Sequence, residues 1–330
     1  MKALVLSAPN KIEIIEKEKP NIGPGEALVR IKAASLNHRD QWCREDKYPN
    51  IQYGTTLGSD GAGIVEQVGD KSDNHWLQKE VVINPNIFWG ANPAVQSSEY
   101  TILGMPNNGT FAEYIVVPAD RLHLKPSYLN FITASAFPLG GLTAYRAIFT
   151  HGKVKSADNV LISGVGGGVA QFAFLFAKTA GANVFVTSSK PENIEQVKEM
   201  GAKGGFNYKE DDWTKTAKKQ TGGFDVIIDS AGGDQLNDLI KLAKPGGKII
   251  FYGATTGLPK DLNLRPIFWN QLTLQGSTMG NDEEFAAMLN FVAENKIEPI
   301  IYSIRPFDHI ISAFDDMKAG KQSGKLVVEF

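Results

Sequence analysis

An α/β protein in two parts is expected from this sequence: a doubly wound parallel sheet carried together with a second domain built of short strands. Three observations point to it. Strand-like stretches fill roughly the first 125 residues, strands alternate with helices from Asn159 onward, and a glycine cluster joins the first of those strands to the first of those helices. Short strands at close spacing suggest a small barrel or sandwich. Strands alternating with helices mean βαβ units with right-handed crossovers.

The elements follow in order. The chain opens Met1-Lys2-Ala3-Leu4-Val5-Leu6 and turns charged by Lys11, which reads as a strand and not a signal peptide. Ala27 to Ala33 alternates, with Val29, Ile31 and Ala33 on one face. Gly58, Gly61 and Gly63 punctuate a segment that ends Ile64 to Gly69, and glycines there suggest a bulge or a close backbone approach. Val81 to Ile83 and Ala112 to Val117 are further strands. From Val160 to Ser163 an apolar strand leads through the glycines into a helix reaching Ala180, then a strand over Asn183 to Thr187. Glu192 to Met200 is a helix stopped by Gly201. Strands at Asp225 to Asp229, Lys248 to Tyr252 and Leu272 to Gln275 alternate with a helix at Asp234 to Ala243. After a helix at Asp282 to Glu294, strands return at Ile300 to Ile304 and Lys325 to Glu329. The expected division is therefore 1–124 rejoined by 288–330, with 125–287 as the parallel-sheet domain.

Composition narrows the function by exclusion. The 330 residues suffice for about two domains. Lys plus Arg number 34 against 36 Asp plus Glu, so no basic footprint for nucleic acid or anionic membrane exists. One cysteine, Cys43, makes neither an internal disulfide nor a multi-cysteine zinc site and reads as a small buried residue. No apolar run approaches the ~18 residues of a membrane span. A cytoplasmic protein with no nucleic-acid or membrane partner is expected. The five histidines, at 38, 75, 123, 151 and 309, show no helical metal spacing. Neither a G-x-S-x-G elbow nor a Walker loop is present, and no tyrosine precedes lysine by four as in short-chain dehydrogenases.

The glycine cluster carries the positive signal. Gly164-Val165-Gly166-Gly167-Gly168-Val169-Ala170 lies between a strand and a helix, the context a dinucleotide fingerprint requires. Glycine lets the backbone approach a pyrophosphate, which amide N–H groups at the helix N-terminus then meet. The following strand ends Thr187-Ser188-Ser189-Lys190, with no carboxylate before Glu192. Two hydroxyls and a lysine suit a 2′-phosphate, so NADP(H) is expected ahead of NAD(H); Ser188 and Ser189 also suit capping of the next helix.

Several segments together resemble the medium-chain dehydrogenase/reductase superfamily. They are Leu36 to Asp40, Leu57 to Gly63, Gly109 to Tyr114, Leu142 to Tyr145, the glycine cluster, and Gly324 to Val328. The chain looks closest to the quinone-oxidoreductase branch and to zinc-type alcohol dehydrogenase-like proteins. The resemblance implies a GroES-like barrel domain built from both ends of the chain around a central Rossmann domain. It also implies a homodimer or homotetramer.

Zinc-dependent relatives bind their catalytic metal through positions that match Asn37, Ser59 and roughly Leu139 here, none of which supplies a thiolate or imidazole. The stretch matching their cysteine-rich structural lobe, Asn84 to Asn108, has no cysteine. No zinc is expected. Arg39 stands where those relatives carry a proton-relay hydroxyl. By resemblance, Asn37, Asp40 and Tyr48 line the substrate pocket: Asn37 donates to a substrate oxygen, Tyr48 gives a proton, and Asp40 and Asp60 organise. Helix capping is the plainer role for Asn37 and Asp40, and Trp42 and Trp269 are candidate aromatic walls. For the cofactor the resemblance and the strand ends point to His38, Thr143, Gly164, Gly166, Gly167, Gly168, Val169, Ser188, Ser189, Lys190, Tyr208, Gly253, Ala254, Thr255, Ser277, Thr278, Met279 and Lys325. The expected activity is metal-free, NADPH-dependent hydride transfer to a small-molecule substrate, a quinone or an α,β-unsaturated carbonyl compound. A zinc-dependent alcohol dehydrogenase and a non-catalytic NADPH-binding protein are the alternatives.

Overall fold

The computed structural model describes all 330 residues, arranged as two compact units: 1–140 with 281–330, and 141–280. Along the chain come strands β1 (Lys2–Ala8), β2 (Lys11–Glu16) and β3 (Glu26–Ser35), helix α1 (His38–Arg44), then β4 (Asp60–Val68), β5 (Glu80–Ile83), β6 (Asn86–Ile87), β7 (Thr101–Ile102), β8 (Tyr114–Pro118) and β9 (Leu122–Leu124). Helices α2 (Phe131–Ser135) and α3 (Pro138–Tyr145) follow, with a π-helical turn at Arg146–His151. The middle of the chain is β10 (Asn159–Ile162), α4 (Gly168–Thr179), β11 (Asn183–Ser188), α5 (Pro191–Glu199), β12 (Gly204–Asn207), α6 (Trp213–Thr221), β13 (Phe224–Asp229), α7 (Leu236–Leu242), β14 (Ala243–Phe251), α8 (Leu264–Trp269) and β15 (Thr273–Gly276). It closes with α9 (Asp282–Glu294), β16 (Ile301–Pro306), α10 (Ile310–Lys318) and β17 (Lys325–Glu329).

The first unit is a largely antiparallel sheet in the order β16-β17-β3-β4-β5-β9, with β8 also paired to β3. Strand β3 has partners on both edges, and both of its faces are covered at this point: Leu28 is buried as fully as Val29 and Ile31, although alternation puts it on the opposite face from them. The glycines of β4 permit the close approaches their spacing suggested. A Cβ on Gly63 would stand 2.2 Å from the Arg30 carbonyl oxygen, and the β3–β4 register shifts twice along its length. The core of this unit gathers Leu4, Ile31, Val65, Phe111, Phe314 and Val328, and burying side chains of this size contributes about 1.5–3 kcal/mol each.

The second unit is a six-stranded, all-parallel sheet in the order β12-β11-β10-β13-β14-β15. That order reverses between β10 and β13, the switch point outside which ligands bind in such sheets. Leu161, Trp213, Phe224, Ile227, Leu239 and Ile249 form a core on it. Pro191 opens α5 at its first turn, where a missing N–H costs nothing. On α8, by contrast, Phe268 and Trp269 are 67% and 80% exposed.

The unit boundaries differ from the expected 124/125 and 287/288 for a local reason. Helix α2 packs on β3 and β4, and the first residue of α9, Asp282, is held by Arg121 (2.6 and 2.8 Å) and Asn84 (2.8 Å) of the first unit. Asn281 caps α9, with reciprocal bonds of 2.7 and 2.8 Å to Glu284. No helix is long and apolar enough to cross a membrane.

Candidate active site

In the first unit, the turn from β3 into α1 brings Asn37 beside the start of β4 and the start of β17. Asp60 is fully buried and accepts four hydrogen bonds: Leu139 N–H at 2.7 Å on Oδ1, and Ser35 Oγ, Asn37 Nδ2 and Lys325 Nζ at 2.9 Å each on Oδ2. Lys325 donates to Asp60, to Asn37 Oδ1 at 2.7 Å and to the Leu36 carbonyl at 2.9 Å, so its three N–H groups have partners inside this unit. The amide of Asn37 is thereby locked. Its oxygen faces an ammonium and one of its two N–H bonds goes to a carboxylate, which leaves a single N–H in a side chain only 8% exposed.

Asp40 takes the capping role: its Oδ2 accepts from the Asn37 N–H at 2.8 Å, while buried Oδ1 has no hydrogen-bond partner. Burial pushes its carboxyl up to about 6, against the pull of Arg39 and of the Asn37 N–H. The folded chain therefore holds this proton more tightly than the unfolded one, and the contribution favours folding below pH 4 and is lost as pH rises toward 6. Comparing urea unfolding of the wild type and Asp40→Asn at pH 4 and pH 7 is expected to show the wild type losing on the order of 2 kcal/mol relative to the variant over that interval.

Tyr48 is half-buried against the first unit's core. Its hydroxyl accepts from Arg39 Nε at 3.3 Å, and the guanidinium carbon lies 4.6 Å from its ring centroid. Arg39 Nη1 donates to Ser59 Oγ at 2.5 Å and to the Leu103 carbonyl at 2.7 Å, and Nη2 donates to the Met105 carbonyl at 3.2 Å. His38 is exposed, and its ring stands 6.5 Å from that of Trp42. Burial holds the Cys43 thiol up at about 12, so it is no nucleophile.

In the second unit the glycine cluster bridges β10 and α4 as expected. Gly164 has φ +63° and open space where a Cβ would stand, and Gly167 caps α4 in an extended conformation. Thr187 accepts from the N–H groups of Gly164 (3.1 Å) and Val165 (3.0 Å). Gly166, Gly168 and Val169 complete the turn, and the first-turn N–H groups of α4 have no intrahelical acceptor. Open backbone at a helix N-terminus fits the pyrophosphate of a nicotinamide dinucleotide. Ser188 Oγ accepts from Lys190 N–H (3.1 Å) and Asn193 Nδ2 (3.4 Å) and caps no backbone N–H of α5, whose N-cap is Lys190, while Ser189 is exposed at the strand end. Gly253, Ala254 and Thr255 follow β14, with Thr255 N–H bonded to the Ser230 carbonyl at 3.1 Å. Ser277, Thr278 and Met279 follow β15, and the Thr143 hydroxyl meets Met279 sulfur at 3.6 Å. Tyr208 follows β12 and packs on this unit's core.

Three placements depart from expectation. Lys325, assigned to the cofactor, has its amine spent on Asp60, Asn37 and Leu36. Trp269, a candidate wall, projects from α8. The Arg39–Tyr48 pair was not anticipated as a unit. Arg39 and Lys325 are both buried, and a buried cation demands partners, but that burial appears only in the folded chain.

Residues 23–127 match the family described as alcohol dehydrogenase GroES-like domain, and residues 168–294 match that described as zinc-binding dehydrogenase. A zinc-type alcohol dehydrogenase-like protein, YogA, of Leptosphaeria maculans is 36% identical over 341 residues, 97% of this chain and 94% of its own length. The quinone oxidoreductase of Mus musculus is 26% identical over 315 residues, 92% and 88% of the two chains. The crystal structure of an NAD-dependent alcohol dehydrogenase shares the fold with a TM-score of 0.93 at 32% identity, covering all of both chains. A GroES-like domain joined to a Rossmann-type parallel sheet defines the class, an oxidoreductase. The chain belongs to the medium-chain dehydrogenase/reductase superfamily, as its motifs implied.

The zinc in these descriptions does not fit the residues here. Ser59 receives an arginine N–H, the Asn37 oxygen receives an ammonium, and Leu139 contributes only a backbone N–H. No group of three His, Cys, Asp or Glu side chains that could hold a metal ion occurs.

Proposed function

We propose that this chain is a metal-free, NADPH-dependent reductase of quinones or α,β-unsaturated carbonyl compounds. The observation that carries the reading is the locked Asn37 amide, a pre-oriented donor held by Asp60 and Lys325. The reduced nicotinamide, when bound, supplies a hydride. Asn37 Nδ2 steadies the charge that develops on the substrate oxygen. Tyr48 donates the proton. Preference for the phosphorylated cofactor rests on the end of β11, where Ser189 and Lys190 stand without a carboxylate to accept a ribose 2′-hydroxyl. The solved relative is described as NAD-dependent, which makes the cofactor the first thing to measure.

Tryptophan-fluorescence titration of the purified protein is expected to show NADPH binding more tightly than NADH. Turnover of a quinone and enone panel is expected to survive treatment with a chelator. Tighter NADH binding removes the cofactor assignment, and turnover that tracks stoichiometric zinc establishes a zinc-dependent alcohol dehydrogenase instead. Tight NADPH binding with no consumption across the panel establishes a binding protein.

A further inference from the structure

Two buried arginines of the first unit are held in opposite ways. Arg121 is saturated by carboxylates, with Asp120 and Asp282 each accepting two bonds at 2.6–3.0 Å. Arg39 is 5% exposed, yet it ends on neutral oxygens: Ser59, the Leu103 and Met105 carbonyls, and Tyr48. Its nearest carboxylate oxygen, Asp40 Oδ1, is 3.9 Å away. Burying a guanidinium without a bonded anion is costly, and a charge placed so has most to gain from negative charge arising beside it.

The oxygen beside it is the phenol of Tyr48. A guanidinium has donors and no acceptor, so the Arg39 Nε–H must point at the Tyr48 oxygen and the Tyr48 hydrogen must point elsewhere. The Nη atoms are clamped by Ser59 and two backbone carbonyls, so the fork is not free to follow a moving ring. Its fixed orientation defines the direction of the phenol O–H.

We propose that Arg39 is a positioning residue acting through Tyr48: it aims the hydroxyl as a donor to substrate and holds the charge left on the phenol oxygen. This rests on the reading that Tyr48 supplies the proton. In that step the Tyr48 O–H bond breaks, the proton passes to the reduced substrate, the electron pair stays on the phenol oxygen beside Arg39, and water restores the proton. The hydride comes from NADPH, so no further reductant is needed.

The test compares Arg39→Met, Arg39→Lys, Tyr48→Phe and the Arg39→Met/Tyr48→Phe double variant by kcat, KM, NADPH affinity and solvent deuterium isotope effect on kcat. Arg39→Met is expected to lower kcat about a hundredfold, with NADPH affinity and KM within a few-fold of wild type and a larger solvent isotope effect. Arg39→Lys is expected to recover part of the loss, and the double variant to be no slower than Tyr48→Phe alone. Losses that multiply in the double variant overturn the proposal. So does unchanged kcat in Arg39→Met when Tyr48→Phe is slow, a result that leaves the Tyr48 assignment standing. Unchanged kcat in Tyr48→Phe refutes the proton-donor reading and this proposal with it. Should Arg39→Met not fold, Arg39→Gln, which retains a donor but no charge, reads the same split.

Discussion

Lys325→Met is expected to cost about 3–5 kcal/mol of folding stability, because it leaves the Asp60 carboxylate buried without its cation. Asp60 is fully buried and Lys325 is 3% exposed, so water cannot take the place of the lost partner. The size of the effect comes from the orphaned charge and not from the bond itself. Replacing both partners, as in Lys325→Met with Asp60→Leu, is therefore expected to cost less than the sum of the single changes. Urea unfolding of the three variants checks this, and a loss below about 1 kcal/mol in Lys325→Met would show that Asp60 is not held as a buried anion. Activity falls with stability, since the Asn37 oxygen loses the ammonium that sets the amide's orientation.

The second large effect concerns turnover. Asn37→Ala is expected to lower kcat by about 10²–10³, the usual consequence of removing one oriented donor from a developing oxyanion. Tyr48→Phe is expected to lower it by about 10²–10⁴ through loss of the proton donor. NADPH affinity is expected to be unaffected in both, since the glycine cluster that fits the pyrophosphate lies elsewhere in the chain, at Gly164 to Ala170. Steady-state kinetics under NADPH saturation decide it. Wild-type turnover in both variants would mean that neither side chain serves the reaction.

Much of this architecture was legible in the residues, and the boundary of legibility has a physical cause. Local signals worked where the structure is local. The strand, glycine turn and helix from Val160 to Ala180 emerge as β10 and α4, and α9 runs over the expected Asp282 to Glu294, its start held by the Asn281–Glu284 capping box. The two-residue strands β6 and β7 are too short to show any periodicity. The candidate site is another matter. Asn37 and Tyr48 were singled out by resemblance, but what holds them comes from far along the chain. Lys325 lies 265 positions from Asp60, and Met105 lies 66 from Arg39. Lys325, expected at the cofactor, is instead buried at the start of β17, where its amine meets Leu36, Asn37 and Asp60 from the distant first part of the chain. Nothing in its immediate neighbours records that pairing.

That separation has a consequence for how the protein is made. At about 5–20 residues per second of synthesis, the 288 residues between Asn37 and Lys325 take roughly 15–60 s to translate. The inserted unit, 141–280, is one continuous stretch and is complete well before Lys325 is added. Over the last 45 residues before Lys325, about 2–9 s, the nascent chain carries that unit with its whole sequence in hand, while Asp60 has no cation to meet. Assembly of the pocket around Asn37 is thus among the last events in the birth of the molecule.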